Sequence, residues 1–243
     1  MSEFRITYDG PALNTHQMDV RELAPALLAA GDLLDAAVFS LNGNTIKSQT
    51  NVVGSFKTGC FAIDFALTAD WILRVRDIFS GDSATAIANA GAILGLLGLS
   101  YHKGKPTVIS VLKWLKGRKI LKVDQLETTA IIYVDEESIE VEKAVLQLLT
   151  DIMVRQALDN MLTPLDKEGI ETFAAGTDNE IVEIITKNER SYFKTPALED
   201  ILLIDEVRKM VFSIVSLAFK DDNKWRLYDG AATIMQLYQQ KNF

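Results

Sequence analysis

The chain of 243 residues is 48% apolar and 24% charged, a balance that excludes wholesale disorder and provides for one large core or two small ones. A lone cysteine, Cys60, excludes an internal disulfide and points to a reducing compartment. The net charge of −8 is uneven: residues 1–122 hold 13 Lys/Arg and 10 Asp/Glu, whereas residues 123–243 hold 12 and 23.

Met1-Ser-Glu-Phe-Arg lacks the basic and then apolar run of a secretory leader, so a cytoplasmic location is expected. Phe4 to Tyr8 alternates as a short strand, closed by Asp9-Gly10-Pro11. A helix follows. Asp19 and Glu22 have capping-box spacing, and Met18 is placed to staple onto Leu23. Leu23, Leu27, Leu34 and Leu41 share a face, with Ala30 and Val38 beside it. Pro25 is expected to kink this helix or delay its start, and Asn42-Gly43-Asn44 to end it.

Ile46 to Leu67 reads as a hairpin turning between Gly54 and Gly59, with Phe61, Ile63, Phe65 and Leu67 on one side. A helix through Trp71, Val75 and Ile78 comes next. Ser83 to Tyr101 is uncharged over nineteen residues. Thr107 to Leu115 is a basic amphipathic helix with Val108, Val111, Leu112 and Leu115 as its apolar face and Gly117 as its stop. The stretch Lys103–Lys122 carries seven basic residues and no acid. It is expected either to dock on the acidic second half or to meet an external anion.

Beyond it, a strand at Thr128–Val134 turns through Asp135-Glu136-Glu137 into a short strand at Ile139–Val141. Helices follow at Ala144–Leu149 and Asp151–Leu162, the second closed by Pro164. Ile181–Ile185 is a strand, Val207–Phe219 a long apolar one, and Trp225–Tyr228 its return. The pattern is α+β: small mixed or antiparallel sheets packed with helices. A boundary near Lys122, where the charge balance changes sign, gives domains 1–122 and 123–243, with a single unit as the alternative.

Phe4-Arg-Ile-Thr-Tyr-Asp-Gly10, Met18 to Leu28, Gly54 to Phe65, Lys113 to Lys119 and Pro164 to Ile170 together resemble a scattered family of bacterial and prophage proteins with no assigned activity. The similarity runs along most of the chain. It implies a bacterial or phage-borne, intracellular setting and no chemistry. It also implies relatives that continue beyond the Trp225–Tyr228 strand, so that this chain is expected to be a short member.

Chemical motifs are sparse. Gly54-x-x-x-x-Gly59 has P-loop glycine spacing, but Cys60 and Phe61 stand where the phosphate-binding Lys and the magnesium-binding hydroxyl belong. His16, His102 and Cys60 cannot close a zinc site, and Asp135, Glu136, Glu137 and Glu140 read as a solvated acidic turn rather than a calcium loop. Cys60 reads as a small buried hydrophobe rather than a nucleophile. No catalytic, cofactor or metal residue is assigned and no cofactor is expected, although a composite carboxylate site stays open as an enzyme alternative.

The candidate interaction residues are Gly91, Gly95, Lys113, Trp114, Lys116, Arg118 and Lys119. Gly91-x-x-x-Gly95 lets helices approach closely. The basic residues around Trp114 would suit phosphate and base stacking, but a sequence pI near 4.9 makes nucleic acid the lesser expectation. The uncharged segment 83–101 has the length of a bilayer span, yet its Ala, Gly and Asn89 content favours burial in protein, with membrane anchoring as the alternative. The expected function is a non-enzymatic binding or assembly protein that acts by helix-mediated self-association or by docking a protein partner.

Overall fold

Phe4, Ile6 and Tyr8 alternate with Arg5 and Thr7, which sends three large side chains to one side of an extended chain. That strand is the centre of the main sheet. The computed structural model describes residues 3–15, 17–42, 49–53, 61–67, 90–177, 180–196, 213–216, 224–228 and 233–237. Strand β1 (Glu3–Asp9) lies between β3 (Phe61–Leu67) and β7 (Thr172–Gly176), with β2 (Thr50–Val53) and β8 (Ile181–Thr186) at the edges. Every neighbouring pair is antiparallel.

The register sets Phe4 opposite Phe65, Ile6 opposite Ile63, and Tyr8 between Phe61 and Phe173. Phe4 stacks on Phe65 with ring centres 4.9 Å apart, and Tyr8 meets Phe173 edge-on at 5.5 Å. The buried Tyr8 hydroxyl donates to the Met161 carbonyl at 2.7 Å, which removes the penalty of an unpaired polar group in the core. Burial raises the Tyr8 pKa far above the ordinary phenol range. On the opposite sheet face, Arg5 donates through Nε and Nη2 to both oxygens of its cross-strand neighbour Asp64, at 2.5 and 2.6 Å. The two-pronged geometry gives a charge-assisted pair.

Helix α1 (Val20–Asn42) starts where the Asp19–Glu22 spacing puts it: the Asp19 carboxylate accepts the Arg21 N–H at 2.8 Å. Pro25 is carried inside the helix and does not delay its start. The buried face is Ala26, Ala29, Ala30, Leu33, Leu34, Ala37 and Val38. Leu23, Leu27 and Leu41, expected on it, flank it half-buried. Its four alanines let another helix come close, and that helix is the one through Ala157.

Helix α2 (Ala90–Leu97) buries Ile93, Leu94, Leu96 and Leu97 to within 2% exposure. Gly98 ends it with φ +94°, and a Cβ there would stand 2.7 Å from the Thr107 hydroxyl, so the position needs glycine. That hydroxyl caps α3 (Val108–Leu115) in a reciprocal pair with Ser110. Lys116 then turns left-handed at φ 52°, followed by Gly117 at φ 75°.

A second antiparallel sheet orders β4 (Lys122–Gln125), β5 (Thr129–Val134) and β6 (Glu137–Glu142), with Ala130, Ile132 and Val134 buried. Helices α4 (Lys143–Thr150) and α5 (Ile152–Met161) follow, α5 capped by Asp151, which accepts the Met153 and Val154 N–H groups. The fold is α+β, as the pattern predicts.

The chain divides into compact units Met1–Leu203 and Ile204–Phe243, a division away from the expected boundary near Lys122. The physical reason is that β1, from the first half of the sequence, pairs directly with β7, from the second; the charge change does not follow backbone pairing. In the second unit, β9 (Ser213–Ser216), β10 (Lys224–Tyr228) and β11 (Thr233–Leu237) form an antiparallel three-stranded sheet with β10 in the centre. Strands β4, β7 and β11 and the 3-10 helix Lys187–Phe193 are additions to the sequence-based elements. The expected hairpin turn at Gly54–Gly59, the helix through Trp71–Ile78, Cys60 and His16 lie outside the described residues.

Candidate functional site: the groove between two helices

The expected glycine contact face is occupied by the chain itself. Gly95 is buried, and a Cβ there would meet His102 Nδ1 at 3.0 Å. Gly91 is half-buried, and its carbonyl accepts the Ser100 hydroxyl at 3.3 Å. The described part of the uncharged segment is therefore an eight-residue helix and a turn packed into the core, with Leu99 also fully buried. Residues 83–89 lie outside the described residues. Among the described helices, α1 is the one long and apolar enough to cross a membrane by length and composition.

The basic helix is likewise engaged within the chain. Lys113 Nζ donates to the Ile184 carbonyl at 2.9 Å and stands 3.7 Å from both Glu183 and Glu189. It thus occupies a main-chain acceptor of the edge strand β8, where an unpaired edge invites foreign strands. Trp114 packs half-buried against the core. The Arg118 guanidinium lies 5.4 Å from the Trp114 ring centre, donates to the Trp114 carbonyl at 2.8 Å, and pairs with Glu137 at 2.8 Å and Asp135 at 3.4 Å. Lys105 adds a 2.5 Å bond to Glu142. These contacts match the first expectation for the basic stretch, docking on acids of the second half. Lys116 and Lys119 are exposed at the end of α3. Among the described residues, no three His, Cys, Asp or Glu side chains gather as a metal-binding group.

His102 is partly buried, with Nε2 3.7 Å from the Glu142 carboxylate, too long for a hydrogen bond. Burial lowers its pKa below the ordinary 6.5; Glu142 opposes this, and Lys105 and Lys103 reinforce it. The folded chain resists a proton that the unfolded chain accepts. The stability from neutral His102 is therefore complete above 6.5 and declines as pH falls toward the depressed folded value. A His102→Gln variant is expected to show a shallower fall of melting temperature between about pH 7 and about pH 5 than the parent. Parallel profiles in thermal melts would contradict it.

Among the described residues, a groove lies open between α1 and α5. Its floor is Ala36 and Ala157, and its apolar walls are Phe39 and Met153, which are 51% and 59% exposed. Asp32 and Asp35 line the α1 side, Gln156 and Asn160 the α5 side. The groove exists because the alanines bring the two helices together on their buried faces, while larger residues one turn outward stand up on either side. Burial, followed by the charge of Asp32, raises the Asp35 pKa above the ordinary carboxylate range.

None of the groove residues was among the sequence-based candidates. Phe39 carried a signal: a large aromatic on the outer face of α1, with Asp32 and Asp35 and opposite Ala26, Ala30 and Ala37. Met153 carried none, because its place beside Phe39 depends on how α5 packs. The chain matches no family model, no curated protein and no solved structure. The resemblance to bacterial and prophage proteins gains no support from these comparisons and loses none.

Proposed function

We propose that the protein is a binding protein that docks a helical segment of another protein in the α1–α5 groove. The observation that carries this reading is the pairing of Phe39 and Met153, two large apolar side chains more than half exposed on either side of an alanine floor. Side chains of that kind normally lie inside. Paired across the trough, they form the receptor of helix-in-groove recognition, in which a partner inserts apolar residues spaced at i, i+3 and i+4. From Asp32 to Phe39 the groove runs along about two turns of α1, matching a segment of two to three turns. The proposal keeps the binding role expected from the sequence and moves its working surface from Gly91, Gly95 and α3 to α1 and α5. The intracellular bacterial or phage setting implied by the resemblance belongs to the same proposal.

The test is fluorescence anisotropy of the full chain with a labelled helical peptide of about three turns, leucine and phenylalanine on one face. Phe39→Asp and Met153→Asp are each expected to weaken binding by about tenfold or more, the effect of losing an interface anchor. Melting temperatures should stay near the parent's, because both side chains are largely in water. No saturable binding by the parent, or equal binding by all three proteins, would refute the docking role.

A further inference from the structure

Resting on that docking reading, we infer that Met153 is an oxidation switch on the groove: a peroxide converts its thioether to the sulfoxide and the docked helix is released, and reduction restores docking. Met153 is 59% exposed and stands as one of the two apolar walls. It is the second residue of α5, and its N–H donates to the Asp151 carboxylate at 2.8 Å, so the helix cap fixes the backbone that carries it. Met161, at the other end of the same helix, is fully buried, and Met18 is half-buried against the core. An oxidant arriving through water therefore meets the Met153 sulfur ahead of these two. Phe39, the facing wall, has no atom of comparable reactivity toward peroxide, which confines the sensitivity to the α5 side.

The step is an oxygen transfer. A lone pair on Sδ attacks one peroxide oxygen, the O–O bond breaks, an S–O bond forms and water leaves; the sulfur is oxidised and the peroxide reduced. The thioether is apolar and flexible, suited to fit the apolar residues of an incoming helix. The sulfoxide is polar and a strong hydrogen-bond acceptor. In the open groove it faces water at little cost, so the fold is undisturbed. Under a docked helix it would lose that water to an apolar face that offers no donor. Oxidation thus acts on the complex rather than on the free chain. A dithiol-driven methionine sulfoxide reductase removes the oxygen as water and returns the apolar wall.

The full chain, Met153→Leu and Met153→Gln are each titrated with the labelled helical peptide before and after hydrogen peroxide, and peptide mass spectrometry locates the oxidised sites. In the parent, Met153 is expected to gain an oxygen before Met18 and Met161. Binding should then weaken by about fivefold or more, at an unchanged melting temperature, and recover after treatment with the reductases for both sulfoxide epimers. Met153→Leu, compared with itself, should lose none of its affinity on oxidation, and Met153→Gln should bind as weakly as the oxidised parent. Unchanged parent affinity at full Met153 oxidation, a loss of equal size in Met153→Leu, or oxidation of Met161 ahead of Met153 would overturn the switch and leave the docking reading standing. No saturable binding by the parent before peroxide would overturn the docking reading and the switch with it.

Discussion

An Arg190→Ala variant is expected to lose about 2–3 kcal/mol of unfolding free energy, because it removes a buried guanidinium and its charge-assisted hydrogen bonds and leaves the partly buried Asp159 and the exposed Asp166 with Lys194 alone as a cation. Arg190 is 4% exposed and lies in the 3-10 helix Lys187–Phe193, which is capped reciprocally by Thr186 and Glu189. Its Nη2 donates to Asp159 Oδ1 at 2.6 Å, to the Asp159 carbonyl at 3.1 Å and to Asp166 Oδ2 at 3.1 Å. One guanidinium thereby ties α5, the turn Thr163–Asp166 and the segment after β8 to one another. The other oxygen of Asp159 accepts the Thr195 N–H at 2.8 Å and its hydroxyl at 3.1 Å.

Burial pushes the Asp159 carboxyl up, but the hydrogen bonds from Thr195 and Arg190 outweigh it and hold the group below its ordinary value of 3.8. That contribution to stability is present above 3.8 and lost as pH falls through the lower folded value. Urea unfolding followed by circular dichroism gives the loss directly. A paired Arg190→Met, Asp159→Leu variant should cost less than the sum of the two single changes, since it removes both charges. A loss under about 1 kcal/mol for Arg190→Ala would mean that water replaces the guanidinium easily.

Phe173→Ala is expected to cost about 3–5 kcal/mol, the range for removing an aromatic ring from a closed core. Phe173 is fully buried on β7, opposite Tyr8 of β1 and opposite Ile185 of β8. Its ring edge meets Tyr8, whose hydroxyl reaches Met161 at the end of α5. The ring therefore sits where three strands and a helix converge, and nothing nearby can collapse into the gap without breaking strand register. Tyr8→Phe keeps the ring and removes one hydrogen bond, so its cost should be smaller, about 1–2 kcal/mol. Equilibrium urea melts on both variants test the order; a larger loss for Tyr8→Phe would mean that the hydroxyl, not the packing, anchors the sheet to α5.

These two positions also mark how far the sequence could be read. Elements with a strong local period were legible: β1 from Phe4, Ile6 and Tyr8, α1 from its capping spacing, α3 from Thr107 to Gly117, and β5 from Ala130, Ile132 and Val134. The strand holding Phe173 was not. Thr172-Phe-Ala-Ala-Gly176 is short and rich in small residues, and it becomes a strand by pairing with β1, which is distant in sequence, as well as with its hairpin neighbour β8. Strand β4 was hidden differently: Lys122 and Asp124 alternate with only modest apolar content, and the strand is completed by pairing with β5.

The basic stretch from Lys103 to Lys122 was readable as docking on the acidic second half or as meeting an external anion, and the fold pairs Lys105, Lys113 and Arg118 with acids of the second half. Gly91 and Gly95 have the spacing of a helix contact, and the contact made at Gly95 is with His102 of the same chain. A close-approach motif says that something packs there and does not say what. The groove was half legible: the outer face of α1 shows Asp32, Asp35 and Phe39, but the second wall waits on the packing of α5.

The docking claim is tested most directly by proton–nitrogen correlation NMR of the full chain titrated with the helical peptide that carries leucine and phenylalanine on one face. The account predicts that the largest shift changes fall on α1 from Asp32 to Phe39 and on α5 from Met153 to Asn160, and that Phe39→Asp removes them. Shift changes centred on the Lys116 and Lys119 end of α3 instead, or none at saturating peptide, would contradict it.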